Sequence, residues 1–247
     1  MLFRSIHKSN FRILNVYKEE EGNPHSLRGN GVYDIYKAPD GRVWICTYSG
    51  GVSYFETTPA LITQLLHIPN EENSLVNNDV NDVLEDTRGN LWFATNNGIS
   101  RYNTESRRWQ TFYHNVRRGA QAFLTLEEDS EGNIWAGTFS SGVYVIDGET
   151  GREIAHFVDG TAGSPFTNNF VFDILNDRNG NIWIAGVMGE LFRYDESTRK
   201  FSYYGYHPIY AIKGFSEDEM LLGCTYGLSI LNIETGVVQI LLTGDRK

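Results

Sequence analysis

The stretch Asp86-Thr87-Arg88-Gly89-Asn90-Leu91-Trp92-Phe93-Ala94-Thr95 decides the fold. Aspartate and glycine three residues apart suit a type I turn, because the carboxylate caps backbone amides and glycine accepts the positive φ that follows. A strand of large and small apolar residues then leaves the turn. The same element recurs as Asp40-Gly41-Arg42-Val43-Trp44, Glu131-Gly132-Asn133-Ile134-Trp135 and Asn179-Gly180-Asn181-Ile182-Trp183. A degenerate copy, Asp218-Glu219-Met220-Leu221, has leucine in the tryptophan slot. Anchors at 44, 92, 135, 183 and 221 are spaced by 38 to 48 residues. A period of about 40 is that of four-stranded antiparallel propeller blades, so the spacing predicts an all-β, β-propeller array.

Aligned on the turn, each copy gives every strand a task. The inner strands Val32-Tyr33-Asp34-Ile35, Val80-Asn81-Asp82-Val83 and Val171-Phe172-Asp173-Ile174 are apolar around one acid. Innermost strands are packed on both faces, which predicts that Asp34, Asp82 and Asp173 are hydrogen-bonded structural acids. In the second strand, Trp44, Trp92, Trp135 and Trp183 are each followed two positions on by Cys, Ala or Gly. The expectation is a ring nesting over a neighbour's small residue. Gly41, Gly89, Gly132 and Gly180 are structural turn residues on this reading. A second glycine turn at Gly51, Gly98, Gly142, Gly189 and Gly227 leads to a third strand, and a polar edge strand follows. The hairpin acids lack the further acidic ligands of a calcium loop, so no metal is expected.

Met1-Leu2-Phe3-Arg4 to Phe11-Arg12-Ile13-Leu14 imitates Glu190-Leu191-Phe192-Arg193 to Phe201-Ser202-Tyr203-Tyr204. Residues 1–17 are therefore expected to be the outer strands of a preceding blade, followed by blades at 26–68, 74–114, 119–158, 164–205 and 206–244. Five blades and a half make twenty-two strands, which predicts a single array over 1–247 that is part of a larger, seven-bladed propeller. An open arc would bare apolar blade faces at its ends, so the segment alone is expected to self-associate.

The net charge of −10 argues against nucleic acid and against contact with an anionic membrane, both of which require a basic face. The cluster Arg107, Arg108, Arg117 and Arg118 reads as a solvated rim. Cys46 and Cys224 fall one register apart, on opposite strand faces, so no disulfide is expected. No apolar run reaches the length of a membrane span, and Met1-Leu2-Phe3-Arg4 is no signal peptide; any signal or span is expected outside this segment.

The string from Ser74-Leu75-Val76-Asn77-Asn78-Asp79 through Trp92 to Ile99 resembles the two-component regulator propeller repeat. Its lead-in recurs as Ser26-Leu27 with Asn30, Val32 and Asp34, and as Ser164 with Asn169, Val171 and Asp173. The third and fifth repeats depart from it, with Gln121 and His207 in place of the asparagine. The resemblance implies the extracytoplasmic sensor region of a hybrid two-component system, on the periplasmic or extracellular side. It further implies oligosaccharide sensing, signalling to a histidine kinase through downstream modules, and a homodimer. Neither catalysis nor a cofactor is implied for the segment.

A ligand would meet the loops that enter the inner strands and those between second and third strands. The expected ligand-binding residues are Tyr48, Asn96, Asn97, Phe139, His207, Tyr210 and Tyr226, because amides beside exposed rings suit a saccharide's hydroxyls and C–H face. Met188 lies in the same loop set. Asn30, Asn78 and Asn169 are assigned mostly to structure, since a repeated asparagine at a strand entrance satisfies its own backbone. Two competing readings stand beside this one. A propeller lyase or other glycan-active enzyme needs non-repeating acids and bases on one face, and the six histidines are scattered. A protein-interaction scaffold would use the propeller's edge.

Overall fold

The computed structural model describes residues 3–56, 62–115, 122–186, 190–205, 207–225 and 227–243. Their elements are twenty-two strands. β1 (Phe3–Ile6) and β2 (Ile13–Tyr17) form a two-stranded antiparallel ribbon. The first blade comprises β3 (Val32–Lys37), β4 (Val43–Thr47), β5 (Gly51–Phe55) and β6 (Thr63–Leu65). The second comprises β7 (Val80–Glu85), β8 (Asn90–Thr95), β9 (Gly98–Asn103) and β10 (Arg108–Phe112). The third holds β11 (Phe123–Glu128), β12 (Asn133–Thr138), β13 (Val143–Asp147) and β14 (Glu153–Phe157). The fourth holds β15 (Val171–Asn176), β16 (Asn181–Gly186), β17 (Leu191–Asp195) and β18 (Lys200–Tyr203). The fifth holds β19 (Ile209–Gly214), β20 (Glu219–Cys224), β21 (Gly227–Asn232) and β22 (Val238–Thr243). All five are propeller blades with strands in chain order. The chain divides after Phe123 into two compact units, the first with the ribbon and two blades, the second with three.

The hairpin that opens each second strand does more than turn the chain. Gly89, Gly132 and Gly180 have φ of 78°, 81° and 78°, and each donates its N–H to the preceding aspartate's carbonyl. Asp86 Oδ1 accepts the N–H of Arg88 and Asn90 at 3.0 and 2.8 Å. Its Oδ2 accepts the Trp92 indole N–H at 2.8 Å. Asp129 and Asp177 hold Trp135 and Trp183 in the same way, at 2.9 and 2.8 Å. The carboxylate thus satisfies both the turn and the buried indole it serves. In the first blade Ala38 takes the aspartate's place, and the Asp40–Arg42 ion pair brings the guanidinium 5.7 Å from the Trp44 ring centre.

All four indoles are buried, and aromatic rings face them. Trp92 stacks on Phe112 at 5.4 Å and Trp135 on Phe157 at 5.7 Å, both in their own blade's edge strand. Trp183 lies 4.9 Å from Tyr204, just beyond its own edge strand. Trp135 also meets Tyr194 of the next blade's third strand at 4.9 Å. Rings supply the area an indole can bury, whereas a small residue offers little. The small residue has another task, visible at Gly137. A Cβ there would lie 2.6 Å from Thr125 Cγ2 and 2.7 Å from Val171 Cγ1, so its smallness admits the following blade's inner strand.

The inner acids bridge blades. Asp173 Oδ2 accepts Ile212 N–H of the fifth blade at 2.7 Å, while Oδ1 accepts its own Ile174 N–H and, at 3.4 Å, the Thr125 hydroxyl of the third. In the first unit Asp34 accepts Val83 N–H at 3.3 Å. Burial raises the Asp173 carboxyl to about 6, and that of Glu127, which accepts the Asn176 N–H, to about 7. The native state therefore holds these protons after the unfolded chain has released them, and stability falls as pH rises from about 4 to about 7. Glu127→Gln should flatten that fall. Thermal melts should show the variant gaining on the parent near pH 8 but not near pH 4, and equal gains at both would contradict the assignment.

Cys46, fully buried, and Cys224, half-buried, are free thiols, one register step apart on their strands. Burial pushes the Cys46 thiol well above the ordinary range.

Candidate functional site on the strand-entrance loops

The lead-in asparagines clasp one element to the next. Asn78 Oδ1 accepts His67 N–H at 2.7 Å and Asn169 Oδ1 accepts Asp159 N–H at 2.6 Å, each donor lying two residues past the preceding edge strand. Asn30 accepts Glu19 N–H at 2.9 Å, again two residues past a strand, here β2. The asparagine carbonyls of 78 and 169 accept Gly51 and Gly142 N–H. These side chains are structural.

Beside the clasp, the inner strand carries a repeated irregularity. The register against the second strand slips between Val32 and Asp34, Val80 and Asp82, Val171 and Asp173, and Ile209 and Ala211. The residues skipped are Tyr33, Asn81, Phe172 and Tyr210. A bulge leaves its extra residue out of the ladder and re-aims its side chain, so each of these blades presents one freely chosen side chain at the strand entrance.

In the first unit, Tyr33 and Tyr48 meet edge to face at 6.0 Å, both more than half exposed. Beyond them, Ser49 donates its N–H and hydroxyl to Asp79 Oδ1 at 2.6 and 2.8 Å. Asp79 Oδ2 accepts Asn96 Nδ2 at 3.4 Å, and Asn96 Oδ1 accepts Asn81 Nδ2 at 3.0 Å. Asn96 thus joins a polar chain beside a tyrosine pair, offering the amides and carboxylate a polyhydroxylated ligand needs. Asn97 does not join it. Its amide exchanges hydrogen bonds with Asn115, past the edge strand.

The second unit carries a ladder of rings. Phe139 lies 4.5 Å from Phe170, Phe170 4.8 Å from Phe172, and Phe172 4.8 Å from Tyr210, linking three blades. Phe139 and Tyr210 are 53% and 46% exposed. The Tyr210 hydroxyl lies 3.4 Å from Thr225 Oγ1. His207 is exposed three residues before Tyr210. The sequence does not single out Phe170 and Phe172, because the bulge that takes Phe172 out of the ladder leaves no mark in an apolar strand pattern. Tyr226, Gln121, Met188, Gly189, Arg117 and Arg118 lie outside the described residues. Among the described residues no group of three or more His, Cys, Asp or Glu could hold a metal, and no helix is long and apolar enough to cross a membrane.

Comparison with known proteins shows what these features resemble. The model of the two-component regulator propeller matches residues 26–49, 74–97 and 165–187, which contain the clasp, inner strand and indole strand of the first, second and fourth blades. Histidine kinase P4 of Formosa agariphila is 29% identical over 181 residues, 71% of this chain and 13% of that protein. The extracellular domain of a hybrid two-component system of B. thetaiotaomicron superposes with a TM-score of 0.78 at 22% identity, covering 96% of this chain and 32% of that one. A catalytically inactive virginiamycin B lyase of Staphylococcus aureus, bound to quinupristin, superposes with a TM-score of 0.75 at 13% identity, covering 99% and 78%. The chain therefore spans about an eighth of the kinase and a third of the extracellular domain. The two structural likenesses are likenesses of fold. The first, second and fourth blades thus each carry a match to the two-component regulator propeller repeat, within an all-β propeller architecture.

Proposed function

We propose that this chain is the ligand-sensing propeller segment of a hybrid two-component sensor, non-catalytic itself, which binds an oligosaccharide outside the cytoplasm and relays occupancy to a histidine kinase. The observation that carries the reading is the ladder Phe139–Phe170–Phe172–Tyr210, whose end rings are exposed and whose middle rings are half-buried. Aromatic faces accept the C–H face of a pyranose, and a row of rings from separate blades suits a chain of sugar units. The extracellular context and the kinase come from the names of the relatives, the dimerised downstream parts from the resemblance of the repeat, and all remain part of the proposal. The ribbon β1–β2 is proposed to be the outer pair of a preceding blade; the Asn30–Glu19 clasp, at the same offset as those following β6 and β14, supports this.

Calorimetry against a panel of neutral oligosaccharides tests the reading. Phe172→Ala and Tyr210→Ala should each weaken the best ligand about 10- to 100-fold, or about 1.4–2.8 kcal/mol. The ligand should be recovered unchanged after prolonged incubation. Cleavage of the ligand would replace the sensor with an enzyme, and equal binding by both variants would remove the ladder from the site.

A further inference from the structure

A groove of about 640 Å³ lies on the first unit, outside the residues assigned to the strand-entrance loops. It runs between the connector of residues 67–76 and edge strand β10. The buried Leu75 and Val76 line it, with the half-buried indole of Trp109 beside them. Trp109 packs on Tyr102 at 4.7 Å and Phe93 at 5.7 Å. Glu71 and Glu72 line the groove and are exposed, and no lysine or arginine is among its lining residues.

The edge of β10 is partly engaged already. Asn73 Oδ1 accepts Trp109 N–H at 2.9 Å, and Asn73 Nδ2 donates to the Arg107 carbonyl at 3.4 Å. One side-chain amide thus stands where a fifth strand's backbone would. Alternate residues of an edge strand direct their backbone groups the same way, so the next outward pair is the Trp109 carbonyl and the Thr111 N–H, both on groove-lining residues. Arg108 lies on the opposite face, because successive side chains alternate.

We propose that this groove binds an extended peptide segment that continues the pairing begun by Asn73 and sets a lysine or arginine over Trp109, close to Glu71 and Glu72. Strand addition supplies affinity through backbone bonds, and the side-chain pocket supplies choice. Two carboxylates beside an indole select a cation, by Coulomb attraction and by the ring's negative face.

The test uses the whole chain and a capped pentapeptide, Thr-Val-Lys-Val-Thr, with a Thr-Val-Glu-Val-Thr control, read by calorimetry. The lysine peptide should bind and the glutamate peptide should not. The double variant Glu71→Gln, Glu72→Gln should weaken binding at least about tenfold, and so should about 0.5 M salt, which screens exposed charge. Thr111→Pro removes only an outward N–H, which an edge strand tolerates; it should abolish binding while the thermal melt holds. No binding of the lysine peptide at millimolar concentration, equal binding of the two peptides, or full binding by Thr111→Pro would overturn the proposal. So would a neutral disaccharide whose binding is lost in the double glutamine variant. The loop-face variants Phe172→Ala and Tyr210→Ala should leave peptide binding unchanged, so this result stands or falls apart from the sensor reading.

Discussion

Trp92→Ala is expected to destabilise the protein by about 3–5 kcal/mol, the range for truncating a buried aromatic. The ring is fully buried, stacks on Phe112 and carries the Arg101 guanidinium 5.1 Å from its centre. Since a domain holds only about 5–15 kcal/mol in all, the loss should move a urea midpoint far down. Asp86→Ala separates packing from hydrogen bonding at the same place. It leaves the ring but orphans the indole N–H and the Asn90 amide, at about 1–3 kcal/mol for each buried donor that water cannot reach. Trp92→Phe should fall below both, because stacking survives and only one donor leaves. A Trp92→Ala variant that unfolds within about 1 kcal/mol of the parent would show that the indoles do not hold the blades.

Gly142→Ala is expected to be comparably severe for a different reason. Gly142 sits at φ 68°, and a Cβ there would overlap the Phe157 carbonyl oxygen of the edge strand. The left-handed conformation costs an L-residue about 1–2 kcal/mol. Backbone cannot rotate aside as a side chain can, so forced displacement of β14 adds roughly 1–3 kcal/mol more. Gly89→Ala is the control: its φ is 78°, but nothing lies within 4 Å of the added carbon. The difference between the two variants in denaturant melts isolates the close approach. Equal losses would mean that conformation alone explains the repeated glycine.

Both predictions rest on residues whose roles were legible before any coordinates, though not completely. The aspartate three residues before each turn glycine was recognisable as a turn cap, but its grip on the tryptophan six residues on was not. Turn chemistry is local, whereas that second bond depends on how the strand after the turn folds back. The indoles were recognisable as core, but their partners were not. Which ring meets which is set by strands 10 to 59 residues away in sequence.

The binding face shows the division most sharply. Asn96 and Asn97 are neighbours with the same chemistry, yet one joins the Asp79–Asn81 chain and the other turns to Asn115. Alternation along the backbone sends adjacent side chains apart, and the loop's path decides which points inward. Tyr210 and Phe139 were identifiable as non-repeating rings, but Phe170 and Phe172 look like ordinary strand residues. Only the slip in register that excludes Phe172 from the ladder makes it part of a row.

The sequence by itself determined the number of blades, their order, the turns and the buried indoles, because each follows from residues within one repeat and is written several times over. The tertiary structure alone decided which rings and amides from different blades share a surface. That depends on bulges and on the approach of separate strands, and no local pattern encodes either.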